Sequence, residues 1–410
     1  VNAKTRVAAL MFSLAVAAAL GGHAASTEYD LPVLPPESRV MADPSTGTEL
    51  LFLTTDAATD QALYYEQRSW LADGSMILFM SSRKEGGLMG YLTKSGHLVR
   101  IVTPSGGLGG ATAARKGARL YACRGRDVVE LSLRVRGVQG SATPIVSARE
   151  RLLATLPDDA RPVTALTENA DGSLVALGVG RDRGRAVESV TTVVTVSTRT
   201  GKVNEIARMP ARDFAGHVMF SRDDPRLVYY LRAGSFRTVL DARSGKVVFE
   251  HRRQEGEYAT HHCWWKGPLI TFCGGFHLPP TEDGDVKTVD VRTGEVRIVG
   301  RGNWWPRAAP SELAACNWWH SAGDEQGRWI AADNWHGDIG LFHAVTTRTY
   351  VLTRGHRTYG GGVHPEVGWD RAGRQVVFSS HKLGSVDVCV ATIPQEWQDG
   401  WESEVSRPER

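Results

Sequence analysis

One structural unit recurs seven times along this chain. Each copy opens with a polar or aromatic lead-in and turns on small residues such as Ala-Asp-Gly. It then runs through an apolar strand, an alternating strand and a closing strand. SWLADGSMILFMSS opens the first copy and VHPEVGWDRAGRQVVFSS the last. The lead-ins fall near residues 69, 112, 164, 217, 261, 317 and 364, a spacing of 43 to 56 residues. Four strands at a period of about 40–50 residues make a propeller blade. The expected fold is therefore all-β, a seven-bladed β-propeller of four-stranded antiparallel blades. An open sheet edge invites aggregation, so the opening stretch YDLPVLPPESRVMADPSTGTELLFLT is expected to pair with the last blade and close the ring. No amphipathic helix is expected after the N-terminus. The expected division is a leader over 1–25, one propeller over 26–398 and a charged, frayed tail over 399–410.

The first residues, VNAKTRVAALMFSLAVAAALGGHAAS, read as a secretory signal. Lys4 and Arg6 form its basic region, Val7 to Leu20 its apolar region, and small residues allow cleavage near Ala24 or Ala25. A periplasmic or secreted protein is expected, with no membrane attachment once the signal is removed. The formal charge of +3 includes Lys4 and Arg6. The near-neutral remainder gives no support for a nucleic-acid partner, and attraction for an anionic substrate must be local. A monomer or weak homodimer is expected. The five cysteines follow no zinc spacing and read as buried thiols, with a Cys263–Cys273 bridge left open. RDRGRAVESV and HLPPTEDGD read as solvated loops.

In a propeller the innermost strand of every blade lines one channel. Residues at the same phase in successive blades therefore meet, whatever their separation in sequence. His217, the pair His261 and His262, His320 and His364 stand at nearly the same phase in four neighbouring blades. Imidazoles so placed point to a pocket at the channel mouth, suited to a metal or to general-base work near neutral pH. Glu366 follows His364 by two residues and shares its side of a strand. Tyr64, Tyr65, Gln67 and Arg68 lead into the first blade, and Arg237 lies in the second half of the fourth. The many tryptophans of blades 5 and 6 read mainly as inter-blade packing, with stacking on sugar faces as the second reading. TPSGGLGGAT and TYGGGV are glycine-rich, but no GKS or GKT follows, and no serine triad is present.

Several stretches carry a resemblance: LYYEQRSWLADGSMILF, GHVMFSRDD, EGEYATHHCWW, the segment from His320 to Asn334, and VHPEVGWDRAGRQVVFSSHKLGSVDVCVATIPQEW. Together they resemble the oligogalacturonate lyases, seven-bladed propeller lyases of pectin breakdown, and more distantly the propeller ulvan lyases. The resemblance spans about residues 40 to 398. It implies a catalytic base at His261, after Thr260, and a catalytic arginine at Arg237. It implies a substrate subsite at His217, and a manganese site that includes His320 and His364. The chain departs from the family at Glu366, where the family has a second histidine, and at a glycine where it has glutamine. Glu366 then stands as an oxygen ligand, which suits Mn²⁺.

The chemistry so implied is β-elimination on an acidic oligosaccharide. His261 acts as base and Arg237 as carboxylate clamp. His217, Tyr64, Tyr65 and Arg68 bind substrate, and His320, His364 and Glu366 hold a divalent metal. His262 has the opposite strand parity from His261 and reads as structural. Two alternatives remain open: a lyase for another uronate polymer, such as ulvan or glucuronate side chains, and a non-catalytic periplasmic docking propeller.

Overall fold

The computed structural model describes residues 28–137, 143–181, 189–233, 235–252, 255–276, 284–302, 317–357 and 363–405. The expected loops after Arg181 and after Phe276, the leader, Cys316, Trp304 and Trp305 fall outside the described residues.

The strands pair strictly within seven antiparallel sheets, each one blade. Blade 1 is built on Met76–Ser81, Gly87–Leu92 and Leu98–Arg100, and blade 2 on Gly109–Ala113, Arg119–Arg124, Asp127–Arg136 and Ile145–Thr155. Blade 3 uses Leu174–Arg181, Val190–Ser197 and Val203–Pro210 behind two short inner pieces, Ala160–Pro162 and Thr167–Glu168. Blades 4, 5 and 6 are plain four-stranded sheets that open with Phe214–Phe220, Glu257–Trp264 and Trp318–Gly323. Blade 7 contains Gly368–Trp369, Gln375–Ser380 and Asp387–Thr392.

The ring closes as the sequence leads one to expect, and the N-terminal segment does more besides. Glu49–Phe52 pairs with Asp387–Thr392 and carries Arg39–Ala42 outside it, completing blade 7. Upstream, Val33–Leu34 pairs with Leu98–Arg100 of blade 1, and Glu28–Leu31 with Ile145–Thr155 of blade 2. The segment therefore stitches three consecutive blades and covers edges that would otherwise stay open.

Packing between blades is tight. The largest core cluster links blades 4 to 7 through Trp264, Trp329, Phe272, Phe378 and the closing Phe52. Trp265 of blade 5 lies flat against Gly323 of blade 6: a Cβ added there would sit 1.9 Å from the indole, whose Nε1 donates to the Asp324 carbonyl at 3.1 Å. The tryptophans of the described inner strands thus largely serve as inter-blade filler.

One expectation needs correction. The tail is not simply frayed: Gln395–Val405 forms an α-helix, and Trp397 packs on Tyr350 with ring centroids 4.7 Å apart. The element is short and rich in acidic and amide residues, and its few apolar residues give little helical periodicity in sequence. The reading of the cysteines as buried thiols holds for the four described, and the Cys263–Cys273 bridge left open does not form. Cys123, Cys263, Cys273 and Cys389 are free and buried, and in the register of blade 5 Cys263 lies opposite Thr271 while Cys273 lies opposite Thr260.

Candidate functional site at the channel mouth

Seven equivalent hydrogen bonds set the phase of the blades. Each joins an amide at the end of an inner strand to the carbonyl that opens the next. The pairs are Leu71 to Met76, Ala114 to Arg119, Asn169 to Leu174, Ser221 to Leu227, Trp265 to Leu269, Asp324 to Trp329 and Asp370 to Gln375. Four residues before each donor stands one residue per blade at the same height: Gln67, Gly110, Ala165, His217, His261, His320 and Glu366. The in-phase residue of blade 7 is thus Glu366, with His364 two positions upstream.

Local backbone geometry singles out this ring. His217, His261 and Glu366 have φ of 55°, 52° and 56°, and Gly110 of blade 2 has 59°. Six non-glycine residues among those described have positive φ, and three of them lie here. Such a conformation costs about 1–2 kcal/mol in a residue with a Cβ and collects at functional positions. Strand register slips at the same height in three blades: between Phe214 and Val218, between Thr260 and Cys263, and between Trp318 and Ser321. A bulge takes a residue out of the ladder and re-aims its side chain.

The imidazoles form a continuous arc. Ring centroids are 6.3 Å apart for His217 and His261, 3.9 Å for His261 and His320, and 5.4 Å for His320 and His364. Tyr65 lies beneath, 6.4, 5.9 and 5.5 Å from His217, His261 and His320, and Tyr64 lies 5.6 Å from His217. Trp319 lies 4.9 Å from His261 and Trp335 5.7 Å from His364.

Each of three histidines has its Nδ1 held by the protein. His217 Nδ1 lies 3.2 Å from Glu66 Oε2. His261 Nδ1 lies 2.9 Å from the Trp319 carbonyl and 2.6 Å from Thr260 Oγ1. His320 Nδ1 lies 2.8 Å from Asp333 Oδ2. A carbonyl only accepts, so His261 Nδ1 carries the proton and its Nε2 keeps a lone pair. The carboxylates favour the same tautomer at His217 and His320. An acceptor on one ring nitrogen is what orients a catalytic base or a metal-ligating imidazole.

Charge is distributed unevenly along the arc. Burial, then His320 and His217, drive His261 well below the ordinary histidine range, so it is neutral at physiological pH. Burial also lowers His364, reinforced by His320. At His217 burial opposes the proton, but the Glu66 carboxylate outweighs it and raises the pKa. Burial lifts the Glu366 carboxyl to about 7, against the pull of His320.

Glu66 and Asp333 escaped the sequence reading, as did Tyr229. The Tyr229 hydroxyl donates to Glu66 Oε1 at 2.6 Å. Asp333 accepts from the His320 and Glu366 amides at 2.8 and 3.0 Å as well as from the His320 ring. It therefore couples the backbones of blades 6 and 7 at the ring. Its only trace in sequence is an acidic residue inside the apolar run WIAADN.

Two expected site residues stand outside the arc. Arg237 is 0% exposed, with its guanidinium 4.3 Å from the Phe272 ring centroid and none of its three nitrogens hydrogen-bonded. It sits between blades 4 and 5, where it depresses the pKa of buried His262. Arg68 points away from the histidines into ion pairs with Glu325 at 3.4 Å and Glu168 at 3.9 Å. His262 is fully buried, stacked on Phe272 at 5.4 Å, in keeping with a structural role.

The donor set suits a divalent cation chemically: His320, oriented from behind by Asp333, and His364, with Glu366 as an oxygen ligand. Among the described residues, however, no three such groups converge at metal-binding distance. The large polar residues occupy blades 4 to 7 and blade 1, whereas blades 2 and 3 present Gly110 and Ala165. There a cavity of about 540 Å³ opens, lined by Gly107 to Gly110, Cys123, Gly125 and Pro162 to Ala165. The glycine-rich stretch after Pro104 thus shapes space beside the ring.

No family model and no curated protein matches the sequence. Among solved structures the chain is similar to the oligogalacturonate lyase of Vibrio parahaemolyticus, with a TM-score of 0.70 and 13% identity over 90% of this chain and 100% of that one. It is also similar to an oligogalacturonate lyase in complex with manganese, with a TM-score of 0.71 and 15% identity over 89% of this chain and 98% of that one. At these identities the likeness is one of fold, and it extends over nearly the whole of each chain.

Proposed function

We propose that this protein is a carbon–oxygen lyase that cleaves uronic-acid-containing oligosaccharides by β-elimination. The observation that carries the reading is the arc of imidazoles at the channel mouth, with a neutral His261 whose Nε2 lone pair is free. The C5 proton of a uronate lies α to a carboxylate and is barely acidic, so the reaction needs a neutral base and positive charge at that carboxylate. His261 Nε2 takes the C5 proton. The C5–H electrons form the C4–C5 double bond as the C4–O bond breaks. The leaving oxygen receives a proton from water or from Tyr64, since the hydroxyl of Tyr65, expected at the subsite, is buried in the core. His217, paired with Glu66, lines the subsite beside the base.

His320, His364 and Glu366 would hold a divalent cation, most simply Mn²⁺, which supplies positive charge for the uronate carboxylate when bound. Arg237 is proposed as the second carboxylate partner. An unpaired buried guanidinium gains strongly from an arriving carboxylate, and its cover by Phe272 means the pocket must open for it. The cavity beside Gly110 gives the oligosaccharide room to extend. The leader expected over residues 1–25 fits an exported enzyme. The test is a panel of oligogalacturonides, ulvan fragments and glucuronate oligomers, with and without Mn²⁺, followed by ultraviolet absorbance of the unsaturated product. Absorbance growing on one class supports the reading and names the substrate. Flat traces throughout refute it.

A further inference from the structure

The opposite end of the same inner strands carries a second cluster, unrelated to the histidines. The residue following each phase-setting amide is Ala72, Arg115, Ala170, Arg222, Lys266, Glu325 or Arg371, in blade order. It lies five residues beyond the histidine ring, about 16 Å along an extended strand. Arg68 of blade 1 points to the same place.

The arginines reach across the axis. Arg371 of blade 7 donates to the Ala114 and Arg115 carbonyls of blade 2 at 2.8 and 3.3 Å, and Arg222 of blade 4 donates to the Gly323 carbonyl of blade 6 at 2.6 Å. Glu325 lies 3.4 Å from Arg68 and 3.9 Å from Arg371, and its charge is held by Arg68, Arg115, Arg222 and Arg371 together. Glu168 is largely committed to the Arg115 amide and the Tyr121 hydroxyl. Four guanidiniums therefore face the carboxylates of Glu325 and Glu168, with Asp73 in reach of Arg371 as a third. Arg115 Nη1 and Arg371 Nε are buried without a hydrogen bond. The side chains of Arg68, Glu325 and Arg371 remain 15%, 25% and 25% exposed, so solvent and solutes reach them.

We propose that this far mouth of the channel is an oxyanion site, which takes a sulfate or phosphate group in the fork between Arg68, Arg115 and Arg371. A tetrahedral oxyanion offers acceptors to several planar guanidiniums at once and offsets the surplus positive charge. The group could be a free inorganic anion or an ester on a sugar, and the same chemistry recognises both.

Isothermal titration calorimetry of the full chain with sodium sulfate, at ionic strength held constant with sodium chloride, tests the site. A glucose 6-sulfate titration runs beside it. One saturable site is expected per chain for sulfate. A tighter sugar ester identifies an esterified ligand, and a tighter free ion identifies an inorganic one. Arg115→Gln should weaken binding about tenfold, and Glu325→Gln, which removes a competing carboxylate, should tighten it several-fold. Opposite signs in two folded variants exclude a general loss of structure. Absence of saturable binding to wild type by either ligand overturns the proposal. So does an unchanged dissociation constant in both variants.

Discussion

His217, His261 and Glu366 each hold a left-handed backbone that a residue with a Cβ normally avoids, and that strain is a measurable quantity. In an extended strand alanine is more stabilising than glycine by about 0.5–1 kcal/mol. At position 217 the order should invert. His217→Gly should be more stable than His217→Ala by about 1 kcal/mol in denaturant unfolding, because only glycine tolerates a φ of 55° without cost. The usual order would show that the bulge relaxes and stores no strain. Asp333 makes a second test. Asp333→Asn can still accept at one oxygen but no longer supplies a carboxylate behind His320, so activity should fall about 10–100-fold with the fold retained. The histidines were legible in sequence because the repeat fixes their phase. Glu66 and Asp333 were not, because each lies in an ordinary strand or lead-in and acts through a neighbour that only the fold supplies. Arg68 was placed at the site by sequence, but its side-chain direction, towards Glu325 and Glu168, depends on inter-blade packing, as does the Phe272 ring that covers Arg237.

Blade period, blade number and ring closure were readable in the chain because turns and apolar strands alternate on a regular spacing. The reach of the N-terminal segment over blades 1 and 2 was not, since Glu28–Leu31 and Val33–Leu34 are too short to signal their partners. Removing residues 28–52 would leave the Asp387–Thr392 edge unpaired. The truncated protein should elute as aggregates in size-exclusion chromatography, whereas the full chain gives a discrete peak. Between blades 5 and 6, Gly323→Ala forces a methyl into the Trp265 indole and should destabilise by about 1–3 kcal/mol in equilibrium unfolding. A neutral result would mean that the two blades separate easily. The bulges at His217, His261 and His320 are themselves elements of this kind: sequence shows residues of the right type, but not that the ladder slips to present them.

At the scale of the molecule, the channel has an imidazole-lined mouth and a guanidinium-lined mouth, both made by the same seven inner strands. Its response to acid follows from buried histidines. His356, held between Thr353 and Ser380, is depressed by burial and then by Lys382 from the usual 6.5 to about 3. The unfolded chain takes up that proton near pH 6.5 and the folded chain does not, so stability falls as pH drops from 6.5 towards 3. The slope is up to about 1.4 kcal/mol per pH unit. His356→Asn should flatten this acid limb in unfolding measured from pH 7 to pH 4; an unchanged slope would place the titrating group elsewhere. His217 acts with the opposite sign. Its raised pKa adds stability that is fully present below the ordinary histidine range and is lost as pH rises through the folded value. Whether His261 at the imidazole mouth removes the C5 proton of a uronate is decided by comparing wild type with His261→Gln on the best substrate of the panel. The unsaturated-uronide absorbance should grow steadily with wild type and not at all with a folded His261→Gln variant. A His261→Gln variant that works at the wild-type rate would rule His261 out as the base.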